Sequence, residues 1–451
     1  MTLLAGAATA DISPRKPVPL FGYPHATRVS TGIHDPLLAS ALYLANGDQA
    51  AVLISLDLLF VEPPVARRIR FGVARACSVP EACVFIGCTH THSGPISSRI
   101  LAWQDDPAAP EPDAGYLEAV AEHAAEAAAA ARKRAVPARL AWTSADATGV
   151  GGNRRRPDGP TDPECGILAV RHAADDSPWL AVVLIYGMHP TVLHEDSTLV
   201  SADFPYAARV HLREHLRADM PVIHFTAPCG DQSPRWFVRE QSFREAERLG
   251  RMLGAAALAG IRSVDGDAFS AEAVIAGSLR TVSLVRRRLP TIAEARQDVQ
   301  RCQAEYHRLR SEGADRARVR TAECAVFGAQ SAFGLARAQE NGQIDALLHA
   351  YGAPEIQGVR IGPAVLLGLP GELFAHYSLE IKRRSPARVF PVSLVNGELQ
   401  GYICTPDAAA AGGYEAVNCI FAPESGASLV DAGVALADEL AALLPALYEK
   451  R

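Results

Sequence analysis

Two histidines two residues apart carry the strongest chemical signal in this sequence. His90 and His92 follow the apolar run 82–86, which predicts a short buried strand that ends near the turn Gly94-Pro95. Alternate side chains of an extended chain point the same way, so both imidazoles are predicted to face one cavity. Neutral imidazole is the commonest protein ligand for zinc, and the pair therefore indicates a metal site. The alternative is two histidines that satisfy local hydrogen bonds.

Polar clusters also follow four other predicted strands. Ligands of α/β proteins bind beyond the carboxyl ends of strands, so these clusters are candidates for one shared site. The alternative is that polar residues simply collect where strands end. The side chains of interest in these clusters are His189 after 181–186, Ser233 after 222–225, Glu372 after 365–369 and Tyr402 after 389–395.

The elements that must position these residues alternate between strands and helices. This alternation predicts an α/β fold with mixed β-sheets layered with helices and an active site at the carboxyl ends of the strands. Strands are predicted over 50–60, 82–86, 139–142, 167–172, 179–186, 221–225, 271–288, 364–369 and 389–395, and helices over 64–77, 116–134, 204–218, 238–261 and 427–448.

The polar stretch 291–340 is strongly helical and predicts a helical hairpin inserted on the surface. Its ends adjoin predicted strands near the Glu372 cluster, so the hairpin is predicted either to roof the pocket or to serve as a surface or dimer contact. A roof would make the pocket closed and small, which favours a compact soluble substrate.

Composition bounds the class of protein. The chain has 451 residues, 49% of them hydrophobic, and a net charge of −6, which fits a large core and argues against nucleic-acid binding. Nine scattered cysteines without a Cys-x-x-Cys pair predict a reduced, cytoplasmic protein without thiolate zinc sites. The apolar start at 3–10 is predicted to be a first strand rather than an export signal, and no run is long enough for a transmembrane segment.

Two further features have competing interpretations. His211 and His215 match a His-x-x-Glu-His zinc pattern, but their helix carries three arginines and is predicted to be a solvated surface without metal. Asp57 ends a very apolar strand, where a buried carboxylate needs a partner. It is predicted either to orient a metal-binding histidine or to cap a turn.

Taken in order along the chain, these motifs resemble the neutral ceramidases, a family of zinc amidases that cleave the N-acyl bond of ceramide. The segment Gly-Cys-Thr-His-Thr-His-Ser-Gly-Pro around the two histidines is similar to the family's signature. The matching segments are 31–35, 87–95, 152–154, 187–191, 201–203, 230–234, 369–372, 401–405 and 413–415.

This resemblance implies a ligand set for one zinc ion. His90, His189 and Glu372 would bind Zn²⁺, with Tyr402 as the fourth ligand or a close neighbour. Such a set of nitrogen and oxygen ligands leaves room for a metal-activated water.

The resemblance also implies roles around the metal. His92 would hydrogen-bond the carbonyl oxygen of the substrate, Arg154 would reach the substrate, and Ser233 would lie near the scissile group. Asp203 lies in a matching segment, and it is a candidate, with Asp57, for supporting the ligands from behind.

The implied function is a zinc-dependent hydrolase that cleaves a C–N amide bond of an N-acyl substrate, ceramide-like or smaller and soluble. Residues 1–451 would form a single ceramidase-like catalytic domain that lacks the export signal and extra domain of full-length ceramidases. That difference favours a cytoplasmic enzyme acting on a small soluble amide over one acting on ceramide, and a homo-oligomer is left open. The alternatives are a zinc-dependent esterase or lactonase, and a non-catalytic metal-binding protein with the same fold.

Overall fold

The structure is a computed structural model that describes residues 2–174 and 179–443. Its strands are β1 Leu4–Asp11, β2 Gly32–Ile33, β3 Leu38–Asn46, β4 Gln49–Leu56, β5 Val84–Cys88, β6 Val136–Asp146, β7 Gly152–Asn153, β8 Glu164–His172, β9 Trp179–Tyr186, β10 Leu199–Val200, β11 Val222–Thr226, β12 Gln232–Ser233, β13 Ile275–Thr281, β14 Glu355–Ile361, β15 Ala364–Gly368, β16 Glu372–Leu373, β17 Arg388–Val392 and β18 Tyr402–Ile403. Its helices are α1 Pro63–Cys77, α2 Ala114–Lys133, α3 Phe204–Leu216, α4 Phe243–Arg262, α5 Ile292–Ser311, α6 Arg316–Glu340, α7 Gln343–Tyr351, α8 Ala375–Arg384, α9 Pro406–Ala411, α10 Tyr414–Val417 and α11 Glu424–Ala442.

The larger sheet has eight strands within the described residues, in the order β11-β9-β8-β6-β1-β3-β4-β5. The β4–β5 and β9–β11 pairs are parallel and the others antiparallel, so the sheet is mixed. Its two edge strands approach each other. The Thr226 hydroxyl donates to the Thr89 carbonyl over 2.9 Å, and Phe225 packs edge-on against Phe85. The carboxyl ends of β5 and β9 therefore meet although they lie far apart in strand order.

A second sheet, β13-β14-β15-β17, packs face to face on the first. Its Leu366 shares a buried cluster with Phe85 and Phe225, whereas its Val365 and Leu367 face α8 and α11. Helices α1 to α4 cover the outer face of the first sheet. These four layers, helix–sheet–sheet–helix, confirm the predicted α/β class with mixed sheets. Within the described residues no helix combines the length and apolar character that a membrane crossing requires.

The predicted hairpin is present as α5 and α6, which lie between the antiparallel neighbours β13 and β14. Thr291 and Glu294 form a reciprocal capping box at the start of α5. The predicted strand 271–288 is shorter than expected, because only Ile275–Thr281 pairs with β14. The last helix begins at Glu424, and the predicted end at 448 lies outside the described residues.

Candidate active site

His90 and His92 do meet in one cavity, but not for the predicted reason. His90 has a φ of 67°, in the left-handed region, so the chain at this point is not extended. Its backbone N–H donates to the Leu58 carbonyl and its Nδ1 lies 2.9 Å from the Leu59 carbonyl, and these two bonds hold the unusual conformation. The rings of His90 and His92 end nearly perpendicular, with centroids 5.0 Å apart.

His92 is held by a glycine carbonyl from a distant loop. Its Nδ1 lies 3.0 Å from the Gly22 oxygen, and Arg28 donates to its backbone carbonyl over 2.8 Å. Gly22 has a φ of +107°, and a side chain there would come within 2.4 Å of Nδ1. The ring of Tyr23 packs on the other side, 5.2 Å from the imidazole. The sequence gives no local signal for these contacts.

His189 and Glu372 come from the other strand ends. The Nδ1 of His189 lies 2.9 Å from the Gln232 carbonyl, and its ring centroid is 4.5 Å from that of His90. Glu372 begins β16, which pairs in parallel with β18 so that Glu372 lies opposite Tyr402. The Oε2 atom of Glu372 is 3.3 Å from the Nε2 of His90 and 3.2 Å from the Nε2 of His189.

Four buried polar atoms at this point have no hydrogen-bond partner within residues 2–174 and 179–443: the Nε2 atoms of His90, His92 and His189 and the Oε2 of Glu372. Each histidine directs its Nδ1 at a backbone carbonyl, so the proton of the neutral ring belongs on Nδ1. The Nε2 atoms then present lone pairs to the carboxylate oxygen. A buried acceptor without a partner costs about 1–3 kcal/mol. A cation between these atoms would remove that cost, and the donor set suits zinc.

The protonation states agree with a metal-binding set. Burial and the neighbouring histidine His90 lower the pKa of His92 well below its usual value. Burial and the nearby Arg154 charge lower the pKa of His189 to about 4, so both rings are neutral at pH 7. Burial alone would raise the pKa of Glu372, but the two adjacent histidines outweigh it and hold that pKa well below its usual range.

Two ligand sets are compatible with this geometry. The ligand atoms of His90, His92 and His189 all lie within 4.8 Å of one another, so three histidines are close enough to share an ion. Glu372 contacts two of them and belongs to the set predicted from the family resemblance. The substrate role of His92 therefore stays a prediction.

Tyr402 lies beside Arg154 at the edge of this cluster. The guanidinium carbon of Arg154 is 5.5 Å from the Tyr402 ring centroid, and its Nε donates to Glu415 over 2.7 Å. Burial and the Glu372 charge raise the pKa of Tyr402 well above its usual value, so its phenol stays neutral unless a cation binds the oxygen. The Nη2 of Arg154 is buried and has no hydrogen-bond partner among the described residues.

The paired short strands β7 and β12 bring Arg154 and Ser233 to one wall. Gln232 and Ser233 pair with Asn153 and Gly152, and the Arg154 N–H donates to the Asp231 carbonyl over 2.7 Å. The hydroxyl of Ser233 accepts a hydrogen bond from the Arg235 N–H, and Ser233 lines the cavity above the histidines.

Asp57 does not orient a metal-binding histidine. Its two carboxylate oxygens each accept a hydrogen bond from Arg209 over 2.7 Å, and one also accepts from the Leu38 N–H. Backbone carbonyls hold the three histidines instead. A buried carboxylate needs a partner, and Asp57 finds a guanidinium rather than an imidazole.

Asp203 supports the site only through the backbone. It accepts hydrogen bonds from the N–H groups of Phe204 and Leu193, so it caps α3 and fixes the loop that follows His189.

In the part of the chain that the structure describes, the His-x-x-Glu-His pattern on α3 does not form a metal site. His211 is half-buried and His215 is exposed, and the centroids of their stacked rings are 4.0 Å apart. Among the described residues no third side chain joins them to form a metal-binding group.

His90, His92 and Glu372 of this cluster line the floor of a cavity of about 790 Å³. Phe60, Ile100 and Trp103 form an apolar wall, and α6 of the inserted hairpin forms another wall. The cavity lies within the range of about 300–1,000 Å³ that is typical of small-molecule sites. The hairpin therefore borders the pocket as predicted for a roof, but the pocket is not small.

Comparison with known structures agrees with this architecture. The neutral ceramidase from Pseudomonas aeruginosa superposes with a TM-score of 0.75 at 18% identity, covering 99% of this chain and 75% of that chain. A ceramidase complexed with C2 superposes with a TM-score of 0.69 at 18% identity, covering 99% and 76%. No protein-family model matches the sequence, and no curated protein does. The resemblance predicted from the motifs is thus confirmed in three dimensions: the chain has the fold of neutral ceramidase.

Proposed function

We propose that the protein is a zinc-dependent hydrolase that cleaves the C–N bond of an N-acyl amide. The observation that carries the proposal is a cluster of four buried atoms, from His90, His92, His189 and Glu372, that have no hydrogen-bond partner among the described residues. His90, His92 and Glu372 of this cluster line the floor of a large cavity. Ceramidases of known structure share the fold, which supports amide cleavage as the reaction class. A zinc ion bound here would polarise a carbonyl group and lower the pKa of water to near 7.

The Nε2 atom of His92 is placed to accept a proton during the reaction, although burial keeps the pKa of this ring well below its usual value. Because its Nδ1 donates to the Gly22 carbonyl, the Nε2 of the neutral ring is an acceptor and not a donor. We infer that Nε2 takes the proton of the attacking water as the water oxygen bonds to the carbonyl carbon. The imidazolium then gives this proton to the amine nitrogen as the C–N bond breaks. The predicted hydrogen bond from His92 to the substrate oxygen can form only after that first proton transfer.

Arg154 can donate a hydrogen bond to the substrate oxygen before any proton is transferred. Its Nη2 is buried and has no hydrogen-bond partner in the described part of the chain, and its Nε donates a hydrogen bond to Glu415. Although burial lowers the pKa of Arg154, Tyr402 and Glu415 raise it well above its usual value, so the guanidinium is always charged. We assign Nη2 to the oxygen that becomes negative in the transition state.

The pocket accommodates an amide with an apolar acyl group. Phe60, Ile100 and Trp103 line one wall, and Phe60 lies 6.1 Å from the His90 ring, centroid to centroid. The volume admits more than a compact soluble amide. The lid role of the hairpin is supported by Arg320 of α6, which forms two hydrogen bonds of 3.0 and 2.8 Å with the Glu195 carboxylate across the cavity. A cytoplasmic location and a homo-oligomer stay predictions.

Assays of the zinc-loaded protein on N-octanoyl amides and matched octanoyl esters test the proposal. We expect amide hydrolysis that is lost in the variant Arg154→Gln and restored in part by Arg154→Lys, because lysine keeps the positive charge. Ester cleavage without amide cleavage would favour the esterase alternative. Bound metal without either activity would favour a non-catalytic protein.

A further inference from the structure

The cavity is lined by more arginines than glutamates, and most of the glutamates are already paired. Five arginines and four glutamates line it. Glu372 is directed at the histidines, and Glu415 accepts hydrogen bonds from both Arg154 and Arg155. The remaining glutamates, Glu195 and Glu323, both accept from Arg320.

Two arginines are left without a carboxylate. Within the described residues, neither Arg235 nor Arg316 forms an ion pair, and both side chains line the cavity. Arg235 donates to the Arg154 carbonyl and lies over the exposed Trp236 ring, with its guanidinium carbon 4.8 Å from the centroid. Arg235 also shares the lining of the cavity with Arg316, Arg320 and Cys324 of α6, the lid helix.

Arg316 lies away from the apolar wall. Along α6, Arg316 and Phe327 are eleven residues apart, which is about 16 Å of helix. The loop that carries Trp103 packs against a still later part of α6, because Gln104 donates to the Gly334 carbonyl over 3.1 Å. The lid helix thus runs from a cationic end of the cavity to an apolar end, with the histidine floor below.

We propose that the substrate is an amphipathic amide with an anionic group, which Arg235 and Arg316 bind while the apolar acyl group lies against Phe60, Ile100 and Trp103. This inference rests on the proposed amide hydrolysis and adds the chemical class of the substrate. Guanidinium groups form charge-assisted hydrogen bonds with both carboxylates and phosphates, so the shared chemistry is an anionic head group on the amine portion.

Binding of sulfonamide probes tests the charge preference without turnover, because the proposed chemistry does not cleave their S–N bond. The probes are octanesulfonyl-glycine, the phosphate ester of octanesulfonyl-ethanolamine, and neutral octanesulfonyl-ethanolamine. We expect the zinc-loaded protein to bind at least one anionic probe about tenfold or more tightly than the neutral one, with a preference that weakens as salt increases. Tighter binding of the glycine probe assigns a carboxylate head group, and tighter binding of the phosphate probe assigns a phosphate ester.

The variants Arg235→Gln and Arg316→Gln should each reduce this preference several-fold and leave binding of the neutral probe unchanged. Arg318→Gln is the matched control, since Arg318 lies on the same helix, is exposed and does not line the cavity. No anionic preference in the parent protein, or an equal loss in the control, would overturn the inference. An anionic preference in a protein that cleaves no amide would refute the proposed function but leave Arg235 and Arg316 assigned as the binding site for an anionic group.

Discussion

Replacing His92 and Glu372 separately distinguishes the two ligand sets that the geometry allows. If Glu372 is a ligand with His90 and His189, then Glu372→Gln should lose metal and activity together. His92→Ala should keep the metal and lose activity, because His92 then serves only to move the proton. His90→Ala is the reference variant, since His90 belongs to both sets and should lose metal under either.

The expected magnitudes follow from the contacts of each side chain. Glu372 contributes a carboxylate oxygen that lies near both His90 and His189, at 3.3 and 3.2 Å. Loss of an outer-shell partner typically costs about 10–100-fold in metal affinity, so loss of a ligand should cost at least about 100-fold. A positioned general base contributes about 10²–10⁴ in rate, and we expect His92→Ala to lower kcat by that factor.

The assay is zinc content per chain after gel filtration, together with kcat measured at saturating zinc. His92→Gln is a useful companion, because an amide side chain can still accept a hydrogen bond but cannot carry a proton, so its kcat should stay low. The reasoning is refuted if His92→Ala emerges without metal while Glu372→Gln retains it. That result would identify three histidines as the ligands and leave the proton-transfer role without a residue.

Three further outcomes are expected. Asp57→Asn should lower the free energy of unfolding by about 3–5 kcal/mol in urea titrations, because it leaves Arg209 buried without its partner, yet the folded variant should keep its zinc; loss of zinc would contradict the contacts of Asp57. Hydrogen bonds from His194 and then Arg320 hold the pKa of Glu195 at about 2, below the ordinary value near 4.5, so its stabilisation is present above about pH 4.5 and is lost as the pH falls towards 2. Glu195→Gln should therefore lower the free energy of unfolding by about 1 kcal/mol at pH 7, a small effect because the side chain is 36% exposed and solvent screens its charge. In unfolding titrations at lower pH, the difference in unfolding free energy between the variant and the parent protein should become smaller. Chelation should lower Tm, and zinc at about 100 times its Kd should restore about 2.7 kcal/mol of stability; an unchanged Tm would argue against a buried metal.

The sequence predicted the layers and most elements because their hydrophobic periodicity is local. Strand β9 was predicted with its observed bounds, and α1 and α2 to within two residues at each end. The strand ending at Thr281 was predicted too long, since apolar residues continue past the point where pairing with β14 stops. The sequence pattern shows which residues are apolar, but the length of a strand also depends on how far its partner strand extends.

The errors at the site concern partners distant in sequence. Asp57 was predicted to cap a turn or hold a histidine, and its true partner, Arg209, lies on a helix that three arginines made look solvated. Only 1% of Arg209 is exposed, whereas Arg217, the residue directly after this helix, is exposed. The backbone carbonyls that hold the histidines, such as that of Gly22, carry no side-chain signal at all, so no inspection of residue types finds them.

The residues proposed to carry out the reaction and those proposed to select the substrate come from different parts of the chain. The candidate metal ligands His90, His189 and Glu372 follow strands whose ends meet because the two sheets pack together, and all three lie in segments that resemble the ceramidases. The walls come from elsewhere: Arg235 lies just past the last residue of a matching segment, and Arg316 lies in the inserted hairpin. A change in α6 is expected to alter what the cavity admits, because this helix lines one of its walls. We therefore expect substrate preference to depend on the wall residues, and metal binding to depend on His90, His189 and Glu372.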